Sequence, residues 1–149
     1  MKIKSPAKLN LHLEVIKKRT DGFHELRTVF QLIDLYDEIE FTLTNKEIDL
    51  VESPFPIKDN LILKAAHLLK KIPQTSQGVT IFLDKKIPME KGLGGGSSNA
   101  ATTLIALNKL WGTQLKKDKL MEIGLELGSD IPFFIHSKNT WAEGRGEIF

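Results

Sequence analysis

No cysteine occurs in the 149 residues. Disulfides and thiolate metal sites are therefore excluded, and the redox compartment is left open. An excess of charge of one sign is also missing: 21 Lys and Arg stand against 19 Asp and Glu, a net charge of +2. A nucleic-acid-binding chain would concentrate a basic stripe. Here the basic residues fall in small clusters, Lys17-Lys18-Arg19, Lys70-Lys71, Lys85-Lys86 and Lys116-Lys117, which read as solvated turns and helix faces. No apolar run approaches the roughly 20 residues of a membrane span, and no basic-then-apolar leader opens the chain. Neither a nucleic acid nor a membrane is expected as partner, and the expected location is cytoplasmic. His12, His24, His67 and His136 include no pair at metal-ligand spacing and no His-Glu-x-x-His helix, so no protein metal site is expected. Internal repeats, low complexity and interior linkers are missing as well, and the length fits a single domain over residues 1–149.

What is present is glycine in one place. Gly92, Gly94, Gly95 and Gly96 put four glycines in five positions, inside Pro88-Met89-Glu90-Lys91-Gly92-Leu93-Gly94-Gly95-Gly96-Ser97-Ser98. Such a run suits backbone that approaches a ligand closely or adopts positive φ. Ser97-Ser98-Asn99-Ala100-Ala101 follows, small polar caps and then helix formers, a helix start. A glycine turn feeding a helix N-terminus offers free N–H groups and the positive end of a dipole, which suits phosphate. A Walker A loop is excluded because no Gly-Lys pair exists, and the dinucleotide fingerprint fails because its third glycine falls on Ser97 or Asn99. The alternative is a flexible surface loop.

Around the loop, Leu9, Leu11, Leu13 and Val15 alternate with polar residues, predicting a strand with one wet face. Thr20-Asp21-Gly22 reads as a turn, Val29 to Leu35 as a second strand, and Ile39, Phe41 and Leu43 as a third. Ser53-Pro54-Phe55-Pro56 reads as a loop. Asn60 caps a predicted helix over 61–72 that Pro73 stops. Val79, Ile81 and Leu83 predict a fourth strand. Ala100, Leu104, Leu107 and Trp111 mark one face of a helix ending at Gly112, and another helix covers 117–127. Pro132-Phe133-Phe134-Ile135 reads as a short buried strand, and Ala142 to Gly146 as a turn. Strands first, then helices with single strands, predict an α+β layer of helices on a largely antiparallel sheet. Glu147-Ile148-Phe149 reads as the beginning of a strand rather than a polar tail, so the chain is expected to be a piece of something longer.

Phosphoryl transfer needs a phosphate cradle, a positive charge and help for the attacking hydroxyl. Lys8 and Asp130 are isolated charges in apolar surroundings, at the mouth of the first strand and between a helix stop and an apolar segment. They are the candidate cation and the candidate base or hydroxyl-orienting carboxylate. Spacing alone leaves a surface lysine and a turn aspartate as equal readings. Phe23 beside His24 on a turn can stack on and hydrogen-bond a flat ring.

These segments resemble the GHMP kinases, which cradle ATP on a glycine-rich loop such as Pro88 to Ser98. Pro6-Ala7-Lys8-Leu9-Asn10-Leu11, Asp21-Gly22-Phe23-His24-Glu25-Leu26, Gly128-Ser129-Asp130-Ile131-Pro132-Phe133-Phe134 and Ala142-Glu143-Gly144-Arg145-Gly146-Glu147 narrow the resemblance. They are similar to the branch that phosphorylates the 2-hydroxyl of a cytidine diphosphate methylerythritol in non-mevalonate isoprenoid synthesis. The resemblance implies ATP with Mg2+, the metal held mainly by the nucleotide's phosphates. It implies Asp130 as base or orienting group, Lys8 as the cation that keeps it ionised, and Asn10 at the methylerythritol end. Phe23 would stack on cytosine with His24 at its edge. Asn60 and Lys85 would lie near adenine, and Pro88, Met89, Glu90, Lys91, Gly92, Leu93, Gly94, Gly95, Gly96, Ser97 and Ser98 would hold the phosphates. Homoserine or mevalonate kinases of the same family, or a non-catalytic nucleic-acid-binding domain of similar fold, are the alternatives. The implied fold is the GHMP N-terminal domain with a left-handed βαβ crossover. The family is about twice as long, and its second domain is expected to lie outside this chain. Phe23 stands where Tyr is usual, and Glu90 and Lys91 where small residues are common.

Overall fold

The computed structural model describes residues 1–20, 22–51, 60–72 and 76–149. Asp21 of the expected turn, the Ser53–Pro56 loop and the Pro73 stop lie outside the described residues. The described elements are β1 (Lys2–Lys18), β2 (His24–Thr44), β3 (Asp49–Val51), α1 (Leu61–Lys70), β4 (Gly78–Asp84), α2 (Gly95–Leu110), α3 (Lys117–Leu127), α4 (Ile131–His136) and β5 (Thr140–Ala142). The sheet runs β1-β2-β4-β3, with β5 against β2. The β1–β2, β2–β4 and β2–β5 pairs are antiparallel, and β3–β4 is parallel. The chain is α+β, and the parallel pair spanned by α1 is its βαβ unit.

The two middle strands of the sequence reading are one strand. Pro6 faces Tyr36 while Ala7 faces Ile33, so two residues of β2 bulge out of the ladder. A bulge changes which side chains face the core without ending the strand, which is why the alternation breaks although β2 runs on for 21 residues. Further slips fall between Asn10 and His12 and between Val15 and Lys17. They correct the one-wet-face reading of β1. Leu9, Leu11, Leu13 and Val15 are exposed by 41%, 63%, 55% and 58%: β1 is an edge strand of the described sheet, and its apolar alternation marks no core face.

The core lies between the sheet and the helices. Ile39 and Phe41 of β2 and Val79, Ile81 and Leu83 of β4 point inward, against Ile62, Ala65, Ala66 and Leu69 of α1 and Leu104 and Leu107 of α2. The outward residues of the same strands carry charge. Glu38 pairs with Lys2 and Lys86, and the hydrogen bond from Lys2 holds its carboxyl below the ordinary carboxylate range. The sequence shows one apolar face on α2, but residues 98–104 are buried all round. Gly, Ala, Ser and Thr supply side chains small enough for α1, α4, β1 and β2 to pack against it at once. Helix α3 packs on α4 at Gly124, where a Cβ would stand 2.7 Å from Ile131 Cγ2.

The segment read as a buried strand at Pro132–Ile135 is the helix α4. Four apolar residues in a row are consistent with either state. Pro132 in the first turn needs no N–H there and favours the helix. Phe133 then packs on Phe30 with ring centroids 4.5 Å apart, and burial on all sides replaces the strand's two-faced pattern. Near the chain's end, Ile148 makes a single antiparallel bridge with Glu143. Among the described residues no helix is long and apolar enough to cross a membrane.

Candidate active site

The glycine run forms a turn between β4 and α2. Gly92 and Gly94 take φ of +71° and +69°, values open to glycine at little cost. A Cβ on Gly94 would lie 2.8 Å from the Phe134 ring and 3.2 Å from Lys8 Cε, and one on Gly95 would lie 2.8 Å from Lys85 Nζ. The helix begins at Gly95, two residues before the expected Ser97-Ser98-Asn99 cap, which corrects that reading. Gly94 is the N-cap and offers no side-chain oxygen. The first intrahelical bond is Ser98 N to Gly94 O at 2.8 Å, so the N–H groups of Gly95, Gly96 and Ser97 precede the helical ladder. They point where an anion is favoured.

The turn lines a cavity of about 390 Å³. Pro88, Met89, Glu90, Lys91, Gly92, Leu93, Gly94, Gly95, Gly96 and Ser97 all border it, with Lys8, Leu61, Lys85 and Asp130. A hollow of about 470 Å³ between α1 and α3 is larger, but the residues around it, Lys64, His67, Lys71 and Glu126 among them, offer no backbone cradle. The glycine cavity alone of the two is bordered by the uncapped first turn of a helix.

Lys8 and Asp130, 122 residues apart in sequence, meet at this cavity with Nζ 3.4 Å from Oδ2. The Lys8 side chain is 7% exposed and that of Asp130 33%. Lys8 donates to Asn10 Oδ1 at 2.5 Å, Asn10 donates to Thr28 Oγ1 at 2.7 Å, and the Thr28 hydroxyl donates to His12 O at 2.7 Å. This chain of bonds fixes the ammonium from below, and Phe30 lies under it at 4.9 Å. The backbone N–H of Lys8 also donates to Leu93 O at 3.0 Å, which ties the turn to β1. Asp130 precedes α4, makes no side-chain cap and borders the cavity.

Other residues of the sequence reading fall elsewhere. Ser98 is fully buried, accepts from Ser5 at 2.8 Å and does not border the cavity, a correction to its place among the phosphate contacts. The reason is helical phase: one residue after Ser97, its side chain turns toward β1. Asn60 caps α1 by accepting from Ile62 N at 2.9 Å and borders the α1–α3 hollow, while its neighbour Leu61 borders the glycine cavity. Phe23 and His24 border a separate hollow of about 400 Å³ with Val15, Leu26, Ser129 and Arg145. Arg145 stands over the Phe23 ring at 4.7 Å. The sequence reading singled out neither Arg145 nor Asp37. A charged residue between two glycines in a turn was the available signal for Arg145. For Asp37 it was the break in alternation.

The profile described as "GHMP kinases N terminal domain" matches residues 60–138, more than half of the chain. The chain belongs to the GHMP kinases. A relative from Ruthia magnifica subsp. Calyptogena magnifica, named 4-diphosphocytidyl-2-C-methyl-D-erythritol kinase, is 50% identical over 148 residues, covering 97% of this chain and 52% of its own length. The crystal structure of a 4-(cytidine 5'-diphospho)-2C-methyl-D-erythritol kinase is 37% identical, with a TM-score of 0.89 over 99% of this chain and 53% of that one. The mevalonate kinase of Methanococcus jannaschii, 21% identical with a TM-score of 0.69 over 99% of this chain and 54% of that one, shares the fold. The chain spans about half the length of the curated relatives it matches. In this chain the glycine turn and the Lys8–Asp130 pair border one cavity.

Proposed function

We propose that this chain is the nucleotide-binding part of a kinase that transfers the γ-phosphoryl group of ATP to the 2-hydroxyl of 4-diphosphocytidyl-2-C-methyl-D-erythritol. The observation that carries the reading is the meeting of Lys8 and Asp130 at 3.4 Å on the wall of the glycine cavity. A cradle for phosphate, a buried cation and a carboxylate are the parts that phosphoryl transfer uses. The cradle suits phosphate, because the N–H groups that open α2 carry no side-chain cap. When bound, ATP supplies the phosphoryl group, and its magnesium neutralises charge on the phosphates.

Asp130 would orient the substrate hydroxyl and accept its proton. Lys8, 3.4 Å from that carboxylate, would face the negative charge that develops on the transferred group. Asn10, two residues further along β1, accepts from the Lys8 ammonium and would meet the methylerythritol end. Phe23 offers a ring for cytosine and His24 a hydrogen-bonding edge, in the hollow they share with Arg145. This pocket favours the cytidyl substrate over mevalonate or homoserine, which carry no flat ring to stack.

The test is phosphate transfer by the protein of the complete reading frame, wild type against Asp130→Asn. General-base and orienting groups contribute about 10²–10⁴-fold, so kcat should fall within that range while ATP affinity stays near the wild-type value. Unchanged transfer in the variant, or a wild type that phosphorylates mevalonate and not the cytidyl compound, overturns the proposal.

A further inference from the structure

Asp37 is fully buried and does not border the glycine cavity, yet four donors converge on it. Oδ1 accepts from the backbone N–H of Lys86 at 2.7 Å and of Ile87 at 2.8 Å. Oδ2 accepts from Lys85 Nζ at 2.6 Å and from Asn99 Nδ2 at 2.8 Å. These donors flank the glycine turn on both sides. Residues 85–87 lead from β4 into Pro88, and Asn99 sits near the start of α2. Asn99 donates further to Ser5 Oγ at 3.0 Å, and Ser5 to Ser98 at 2.8 Å. One carboxylate of β2 therefore joins the entry and the exit of the turn.

The Lys85 side chain is 10% exposed and borders the cavity. Its ammonium stands so close to the first turn of α2 that a Cβ on Gly95 would be 2.8 Å from Nζ. A cation beside the positive end of a helix is unfavourable by itself. It also takes up room that an anionic ligand would find attractive: ammonium and helix N–H groups then present positive charge together. Asp37 resolves the conflict, since its buried carboxylate accepts from the Lys85 ammonium at 2.6 Å and holds it in place. Removing one member of such a pair leaves the other uncompensated, whereas removing both is close to neutral.

We infer that Asp37 is a positioning residue of the nucleotide cradle, acting on nucleotide affinity through Lys85 by holding that ammonium and the 85–87 segment against the first turn of α2. The inference rests on the ATP reading above. It adds to that reading a residue with no ligand contact and a reason for Lys85 to stand at the loop.

The experiment measures ATP affinity by titration calorimetry, with magnesium, for the protein of the complete reading frame. Wild type is compared with Asp37→Asn, Lys85→Met and the double variant, and CDP affinity is the control. Loss of one charge-assisted hydrogen bond at this site should weaken ATP binding about tenfold in each single variant. The double variant should be no weaker than Lys85→Met, and CDP affinity should hold within about twofold. Asp37→Asn binding ATP like wild type overturns the inference, as does a double variant in which the two losses multiply. Should Asp37→Asn not fold, Lys85→Met against the double variant decides, because equal affinities are expected there and a further loss refutes the coupling. A wild type that binds no ATP overturns the nucleotide reading itself, an outcome distinct from failure of the coupling.

Discussion

Gly94 and Gly96 are two residues apart in one turn, and alanine at each should move stability in opposite directions. At Gly94 the backbone has φ of +69°, and a Cβ would meet the Phe134 ring at 2.8 and 2.9 Å. The left-handed backbone costs an L-residue roughly 1–2 kcal/mol, and overpacking a filled site costs about 1–3 kcal/mol. Gly94→Ala should therefore lose roughly 2–5 kcal/mol, a large share of the ~5–15 kcal/mol that holds a domain together. At about 2–4 °C per kcal/mol for a chain of this size, the melting temperature should drop on the order of 5–15 °C. Gly96 lies inside the first turn of α2, and a Cβ there would meet Leu61 Cδ1 at 3.6 Å, ordinary contact. Alanine is better than glycine in a helix by about 0.5–1 kcal/mol, so Gly96→Ala should melt roughly 1–4 °C higher. Yet Gly96 borders the cavity, and the added methyl stands where phosphate would approach the backbone, so ATP affinity should fall. Circular dichroism melts read the first effect and titration calorimetry the second. A Gly96→Ala protein that is less stable, or that binds ATP as wild type does, refutes the argument that this glycine is kept for ligand approach at the expense of helix stability.

Asn60→Ala removes the oxygen that accepts from Ile62 N at 2.9 Å and should cost about 1 kcal/mol, read as a lowered denaturation midpoint with an unchanged slope. His136 carries an imidazole whose pKa is lowered from the ordinary 6.5, chiefly by burial and then by the positive Lys117 and Lys138. The folded state therefore favours the neutral ring. Stability from this group is intact above about pH 6.5 and is lost as the pH falls below it. Melting curves between about pH 7.5 and 5.5 should show a smaller drop for His136→Asn than for wild type, and equal drops would exclude this group as the cause.

The glycine turn and the α+β class were legible in the sequence because they rest on local rules. Glycine marks the turn at Gly92 and Gly94, alternation marks strands, and Asn60 signals its own helix start. The places where the reading failed are those where neighbours decide. Pro132–Ile135 is apolar in either state, and packing of Phe133 on Phe30 made it a helix. The split of β2 into two strands came from a bulge, a property of pairing that one strand cannot show. Ser98 looked like a cap and a phosphate contact, until helical phase turned it into the buried bonds with Ser5.

What the sequence determined by itself is the chemistry on offer: a backbone that can cradle phosphate, one lysine and one aspartate set apart in apolar surroundings, an aromatic beside a histidine. Only the tertiary structure decided which of these meet. Lys8 and Asp130 come within 3.4 Å because β1 passes under the turn that precedes α4. Asp37 becomes the anchor of the loop because the bulge in β2 and the exit of β4 bring four donors to one buried carboxylate. Contacts between residues far apart in the chain depend on register and packing, and these are settled by the whole core at once rather than by any local run of residues.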